Sequence, residues 1–115
     1  PWERWQYNLK RSPLYYASRC RTPLLIMGGT DDPRVSPTQS NELYRALKIM
    51  GRSPVRLVRY PGELHGNRRA ASRFDYQLRL LRWFDHYLKD EGGDPPPYRL
   101  DYRSPDHGWQ TETTD

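Results

Sequence analysis

Leu24-Leu25-Ile26-Met27 is an unbroken apolar run, entered by Thr22-Pro23 and closed by Gly28-Gly29. A short run of this kind, bounded by turn residues, predicts a strand buried on both faces of a parallel sheet. Ser36-Pro37-Thr38-Gln39 then combines an N-cap serine, a proline at the first helical position and a glutamine placed for a capping box. A helix is expected from about Pro37 to Met50, with Leu43, Leu47 and Met50 as its apolar stripe and Gly51 ending it in a left-handed conformation. Val55 to Tyr60 is rich in β-formers but carries Arg56 and Arg59, which predicts a second strand nearer a sheet edge than the first. Pro61-Gly62 closes it. Ser72-Arg-Phe-Asp75 offers another capping signal, and Phe74, Leu78, Leu81, Phe84 and Leu88 recur at helical spacing, predicting a long amphipathic helix packed on the sheet.

The order strand, helix, strand, helix is that of a parallel crossover unit, so the fold class is α/β. Two strands leave open edges, and a strand buried on both faces needs more neighbours than this chain supplies. The missing strands are expected from an upstream part of the same polypeptide or from a second chain, with a homo-oligomer as one form of the latter. Residues 1–21 form an aromatic-rich lead-in in which Ser12-Pro13-Leu14 starts a short helix, and 22–89 hold the periodic elements. Gly92-Gly93-Asp94-Pro95-Pro96-Pro97 opens a polar tail over 90–115 that reads as an extended linker or partly disordered end. There is no internal repeat.

Composition removes several classes. Hydrophobic residues are 35% and charged residues 29%, and no window approaches twenty apolar residues, so no membrane span is expected. The formal charge of +5 comes from arginines scattered along the chain, a solvated surface rather than a clustered nucleic-acid patch. Cys20 is the only cysteine, which removes internal disulfides and cysteine-based metal clusters. Pro1-Trp2-Glu3-Arg4-Trp5 has neither an initiator methionine nor a basic-then-apolar signal pattern, and reads as the start of a segment from a longer protein. No compartment is legible from it, the cytoplasm being the default.

Candidate chemistry sits just after the two strands. Gly29-Thr-Asp-Asp-Pro-Arg-Val35 follows the first, and Tyr60-Pro-Gly-Glu-Leu-His65-Gly66 runs off the end of the second. Open α/β sheets place their sites at strand carboxyl ends, and there a carboxylate and a histidine can serve as two members of a Ser-His-Asp system. On the residues alone Asp32 and His65 are also consistent with plain turn chemistry. A metal site lacks a His-Glu-x-x-His or comparable ligand set, and Gly28-Gly29 lacks the spacing of a dinucleotide loop, so neither metal nor cofactor is expected. Glu63 reads as a solvated loop residue, His86 as a surface or packing residue of the last helix, and His107 as part of the polar tail. Trp83, Phe84 and Tyr87 read as core.

Taken together, Thr22 to Val35, Gln39-Ser40, Leu43-Tyr-Arg-Ala-Leu47, Arg59 to Gly66 and Trp83-Phe-Asp-His-Tyr-Leu88 resemble the C-terminal end of the prolyl oligopeptidase family of serine peptidases, over about Ser12 to Lys89. The members it most resembles are acylaminoacyl-peptidases and dipeptidyl-peptidase-like enzymes, whose catalytic domain has the α/β-hydrolase fold. The resemblance implies that Asp32 is the catalytic aspartate and His65 the catalytic histidine, with Asp31 as the neighbouring candidate. Asp32 is preferred because it stands three residues before Val35. Gly28 occupies a position where the family often has histidine, which bears on loop packing. No serine of the chain lies in a Gly-x-Ser-x-Gly elbow. In this fold the elbow precedes the aspartate and the aspartate precedes the histidine, so the nucleophile and oxyanion donors are expected upstream. The implied substrate is a peptide or acyl-peptide, with no cofactor. A carboxylesterase of the same fold, or a non-catalytic interaction or dimerisation module, is the alternative.

Overall fold

The computed structural model describes residues 4–100 and 102. Strands β1 (Leu24–Gly29) and β2 (Val55–Tyr60) form a two-stranded parallel sheet, in register from Leu24 opposite Val55 to Gly29 opposite Tyr60. Helix α2 (Pro37–Met50) connects them. Before β1 lie a six-residue helix α1 (Trp5–Lys10) and a 3₁₀ helix (Pro13–Arg19). After β2 comes α3 (Ala70–Phe84), continued by a π-helical turn over Asp85–Lys89. The α/β class and the strand-helix-strand-helix order are those expected.

In-register residues of parallel strands share a face. Leu24, Ile26 and Val55 lie on the face covered by α2, where Leu47, Leu43, Tyr44 and Ala46 pack with Ala17 of the 3₁₀ helix. Leu25 and Arg56 lie on the other face, against Trp83 of α3 and against Pro96, Pro97 and Leu100. The expected bounds of α2 match its ends. Ser36 caps it, its Oγ accepting the Thr38 N–H at 3.3 Å with Pro37 at the first turn.

Several expectations are corrected. Gly51 is extended (φ −73°, ψ 158°) rather than left-handed. It is glycine for another reason: a Cβ there would stand 2.5 Å from the Leu47 carbonyl oxygen, which the Gly51 N–H already binds at 2.9 Å. β1 is only half-buried along Leu24–Gly28, whereas β2, expected nearer an edge, is the more buried strand. Arg56 is 7% exposed, its guanidinium 3.9 Å from the Tyr98 ring centroid and 5.8 Å from that of Trp83, so the aromatic faces take the place of an ion pair. Helix α3 begins at Ala70, and Ser72 lies inside it rather than capping it. Of its predicted stripe only Leu78 is buried. Leu81, Phe84 and Leu88 are 44%, 50% and 76% exposed, since two strands offer too little sheet to cover a helix of this length. Phe84 is therefore not core, unlike Trp83, which is 5% exposed. Helix α1 carried no capping signal, and it buries none of its residues.

Among the described residues beyond Lys89 the backbone has no regular structure, in keeping with the glycine and proline content of 92–97, yet part of it packs. Leu100 is buried, Tyr98 O accepts an Arg79 guanidinium N–H at 2.8 Å, and Tyr102 OH donates to Asp75 Oδ2 at 2.6 Å. Asp75 also accepts from Tyr60 OH at 2.8 Å and Arg79 Nε at 2.6 Å, tying β2, α3 and the following segment to one carboxylate. The Pro1 start, Ser104, His107 and the remainder of the tail lie outside the described residues. Among the described residues no helix is long and apolar enough to cross a membrane.

Candidate active site

Both loops of interest leave the same end of the sheet, since the strands are parallel and in register through Gly29 and Tyr60. They are stitched together by two backbone bonds and one to a side-chain hydroxyl. Thr30 N–H donates to Tyr60 O at 3.1 Å and Asp31 N–H to Glu63 O at 3.0 Å, while Gly62 N–H donates to Thr30 Oγ1 at 2.9 Å. This contact requires Gly29, because a Cβ there would overlap the Glu63 carbonyl. Gly62, at φ +73°, makes the turn out of β2 that a residue with a Cβ rarely adopts.

Asp32 and His65 meet across these loops. His65 Nδ1 lies 2.9 Å from Asp32 Oδ2, and the carboxylate can only accept, so the ring nitrogen carries the proton and donates. The other oxygen, Oδ1, accepts the N–H groups of Arg34 at 2.8 Å and Val35 at 3.0 Å, the local turn that Asp-Asp-Pro-Arg-Val favours. The Asp32 side chain is 11% exposed and that of His65 50%. The Val35 N–H is the main cause that holds the Asp32 carboxyl below its ordinary value. Burial opposes it, and the His65 and Arg34 hydrogen bonds add to the lowering. Asp31, the neighbouring candidate, is exposed; its carboxylate accepts from Thr30 Oγ1 rather than from His65.

With Nδ1 occupied, Nε2 is the basic nitrogen of the ring. His65 lines a cleft of about 520 Å³ with Asp32, Val35, Ser40, Tyr76 and Arg73 among its walls. Ser40 is a helix residue of α2 and lies in no elbow sequence. Among the described residues no group of three or more His, Cys, Asp or Glu side chains could hold a metal ion.

Glu63, expected as a solvated loop residue, is 2% exposed. Its Oε2 accepts the Arg68 N–H at 2.7 Å and its Oε1 the Arg69 N–H at 3.2 Å. The Arg68 N–H is the main cause that keeps this carboxyl below its ordinary value, against the effect of burial. Arg69 is the N-cap of α3 and makes no side-chain cap of its own. The cap therefore arrives from six residues upstream, at no spacing that sequence capping rules search. His86 sits far along the last helix, half-buried, with Nε2 donating to Asp94 O at 2.6 Å.

Comparison with known proteins bears on this arrangement. The profile of the prolyl oligopeptidase family matches residues 1–91. The acylamino-acid-releasing enzyme of Rattus norvegicus is 36% identical over 84 residues, covering 73% of this chain and 11% of its own length. An uncharacterized peptidase of Bacillus subtilis is 39% identical over 84 residues, covering 68% of this chain and 12% of its own. A solved puromycin-hydrolysing peptidase of Mycobacterium tuberculosis superposes with a TM-score of 0.67 at 32% identity, over 76% of this chain and 13% of that one. The chain thus spans about a tenth of the length of the relatives it matches.

Proposed function

The chain belongs to the prolyl oligopeptidase family, and from that premise we propose that it supplies the aspartate and histidine of a serine peptidase whose nucleophile comes from sequence outside these 115 residues. The observation that carries the reading is the 2.9 Å contact between His65 Nδ1 and Asp32 Oδ2 at the carboxyl end of a parallel sheet. Asp32, kept ionised by the N–H groups of Val35 and Arg34, fixes the imidazole tautomer and stabilises the imidazolium that forms during turnover. His65 Nε2 takes the proton of the attacking serine hydroxyl as the acyl bond to serine forms, then delivers it to the leaving amine. In the second half a water molecule gives its proton to Nε2 and attacks the acyl carbon, and Nε2 returns the proton to the serine oxygen as its bond to the acyl carbon breaks and the acid is released. The substrate class is a peptide or acyl-peptide.

The need for further sequence is supported by three features. Among the described residues the sheet has two strands and two open edges. Leu81, Phe84 and Leu88 form an uncovered apolar row on α3 and the π-helical turn that continues it. The relatives are several times longer than the chain. Without a nucleophile and oxyanion donors these residues alone have negligible activity.

The test is the intact mass of the native polypeptide before and after a fluorophosphonate probe that reacts with activated serines. The expected result is a species well above 13.7 kDa that gains one adduct, with adduct formation abolished in His65→Ala and strongly slowed in Asp32→Asn. An adduct that forms as fast in folded His65→Ala removes the catalytic assignment. A native species of 13.7 kDa with no adduct would favour a binding module instead.

A further inference from the structure

His65 stands on a loop segment whose ties, apart from those of Glu63, include Gly62 N–H to Thr30 Oγ1 and Asn67 Nδ2 to Ser72 O. Gly62 and Gly66 flank it with positive φ, and its own ring is half-exposed with Asp32 as the hydrogen-bond partner. A single isolated bridge between Leu64 and Gly66 is the only ladder contact within the loop. A half-exposed ring on such a backbone does not keep one orientation unless something else fixes the loop.

Glu63 does so from both of its ends. Its backbone carbonyl accepts the Asp31 N–H at 3.0 Å, next to Asp32. Its carboxylate, with the side chain 3% exposed, reaches the other way and accepts the Arg68 and Arg69 N–H groups at the start of α3. The Ser72 hydroxyl joins the same carboxylate, and Arg69 Nε lies 3.9 Å from it. A helix N-terminus favours negative charge, so the carboxylate is held by the α3 terminus as it holds it. The segment from residue 63 to 69 is thereby closed into a ring, pinned to the aspartate loop at one side and to α3 at the other, with His65 between.

We propose that Glu63 is the positioning residue of the site, fixing the loop so that the His65 imidazole stays in register with Asp32. The inference rests on the reading of Asp32 and His65 as a catalytic pair. Glu63 touches neither the ring nor the cleft, and acts through the backbone that carries His65. Both of its oxygens are in use. Glu63→Gln keeps the shape but replaces one acceptor by an NH₂ group facing a backbone N–H, a clash of donors in a buried site.

The experiment uses the native polypeptide that carries this chain, with Glu63→Gln, Glu63→Asp, Asp32→Asn and Leu47→Ala. Three readouts are taken: the downfield proton signal of the His65 Nδ1–H, the amide exchange of Arg68 and Arg69, and the kcat and KM for an acyl-peptide. Glu63→Gln is expected to abolish the Nδ1–H signal, to raise exchange about tenfold at the amide that faces the new NH₂ group, and to lower kcat roughly tenfold or more at nearly constant KM. Leu47→Ala, which weakens the core on the other side of the sheet, is expected to keep the signal, so loss of stability alone does not mimic the effect. Should Glu63→Gln not fold, Glu63→Asp is read in its place, since the shorter carboxylate cannot reach both N–H groups. A folded Glu63 variant that melts earlier but keeps the Nδ1–H signal and kcat overturns the inference and leaves Glu63 a residue of the fold. If Asp32→Asn also leaves the signal unchanged, it is the pairing of Asp32 with His65 that has failed.

Discussion

Gly28 and Gly29 are neighbours in one strand, and the structure assigns them opposite responses to the same substitution. A Cβ on Gly29 would stand 2.5 Å from the Leu64 carbonyl oxygen and nearer still to that of Glu63, whereas ordinary contact begins at 3.4 Å. Both obstacles are backbone, so no rotamer relieves them, and the loop must retreat by at least about 0.9 Å, the difference between those two distances for Leu64, and by more at Glu63. Overpacking of that kind costs about 1–3 kcal/mol. The retreat also moves His65, the next residue after Leu64. A shift of this size takes the 2.9 Å bond to Asp32 beyond the range of a hydrogen bond, and under the proposed role of the pair a misplacement of about 1 Å lowers turnover on the order of a hundredfold. A Cβ on Gly28 would meet only Ser40 Oγ at 3.9 Å, and its φ lies outside the left-handed region. Gly28→Ala should therefore be neutral or stabilising by about 0.4–1 kcal/mol, through the smaller entropy of the unfolded chain. The assay is the urea midpoint of both variants in the same polypeptide, with acyl-peptide hydrolysis alongside. Wild-type stability in Gly29→Ala, or an equal loss in Gly28→Ala, would refute the close approach of the two loops.

Acid should weaken the fold through three carboxylates. Asp32 and Glu63 are lowered chiefly by backbone N–H groups, from 3.8 and 4.5, and for Asp75, also lowered from 3.8, burial acts upward but is outweighed by the bonds from Arg79, Tyr102 and Tyr60. Each binds its proton less readily folded than unfolded, so its contribution is present above about pH 4.5 and fades as the pH falls through the folded values; a urea midpoint that holds or rises between pH 5 and pH 3 would contradict this. Leu47→Ala should cost about 2–5 kcal/mol, while Ile49→Lys, at a position 82% exposed, should stay within about 0.5 kcal/mol, by the same denaturation. Tyr98→Ala should destabilise by about 1 kcal/mol or more, because it removes the ring over the buried Arg56 guanidinium; an unchanged midpoint would mean that the segment after Lys89 does not hold α3 to the sheet.

The sequence by itself determined the elements whose signals are local. Ser36-Pro37 and the Leu43–Leu47 spacing define α2, the Leu24–Met27 run defines β1, and the alternation of strand and helix makes the class α/β and puts Asp32 and His65 at one end of one sheet. The wording around them was specific enough to carry the family. Tertiary structure decided what depends on contacts between distant residues. Glu63 is buried because it meets the start of α3, and no local rule pairs a loop carboxylate with amides five and six residues on. Gly51 and Gly29 are glycine because backbone approaches them, not because of their own φ. Arg56 looked like an edge-strand charge and is covered instead by Tyr98 and Trp83. The stripe on α3 and its π-helical continuation is apolar as its spacing says, but whether Leu81, Phe84 and Leu88 are covered depends on how much sheet lies beneath them. Periodicity records which face a helix prefers to bury, and only the assembled sheet decides how much of that face is covered.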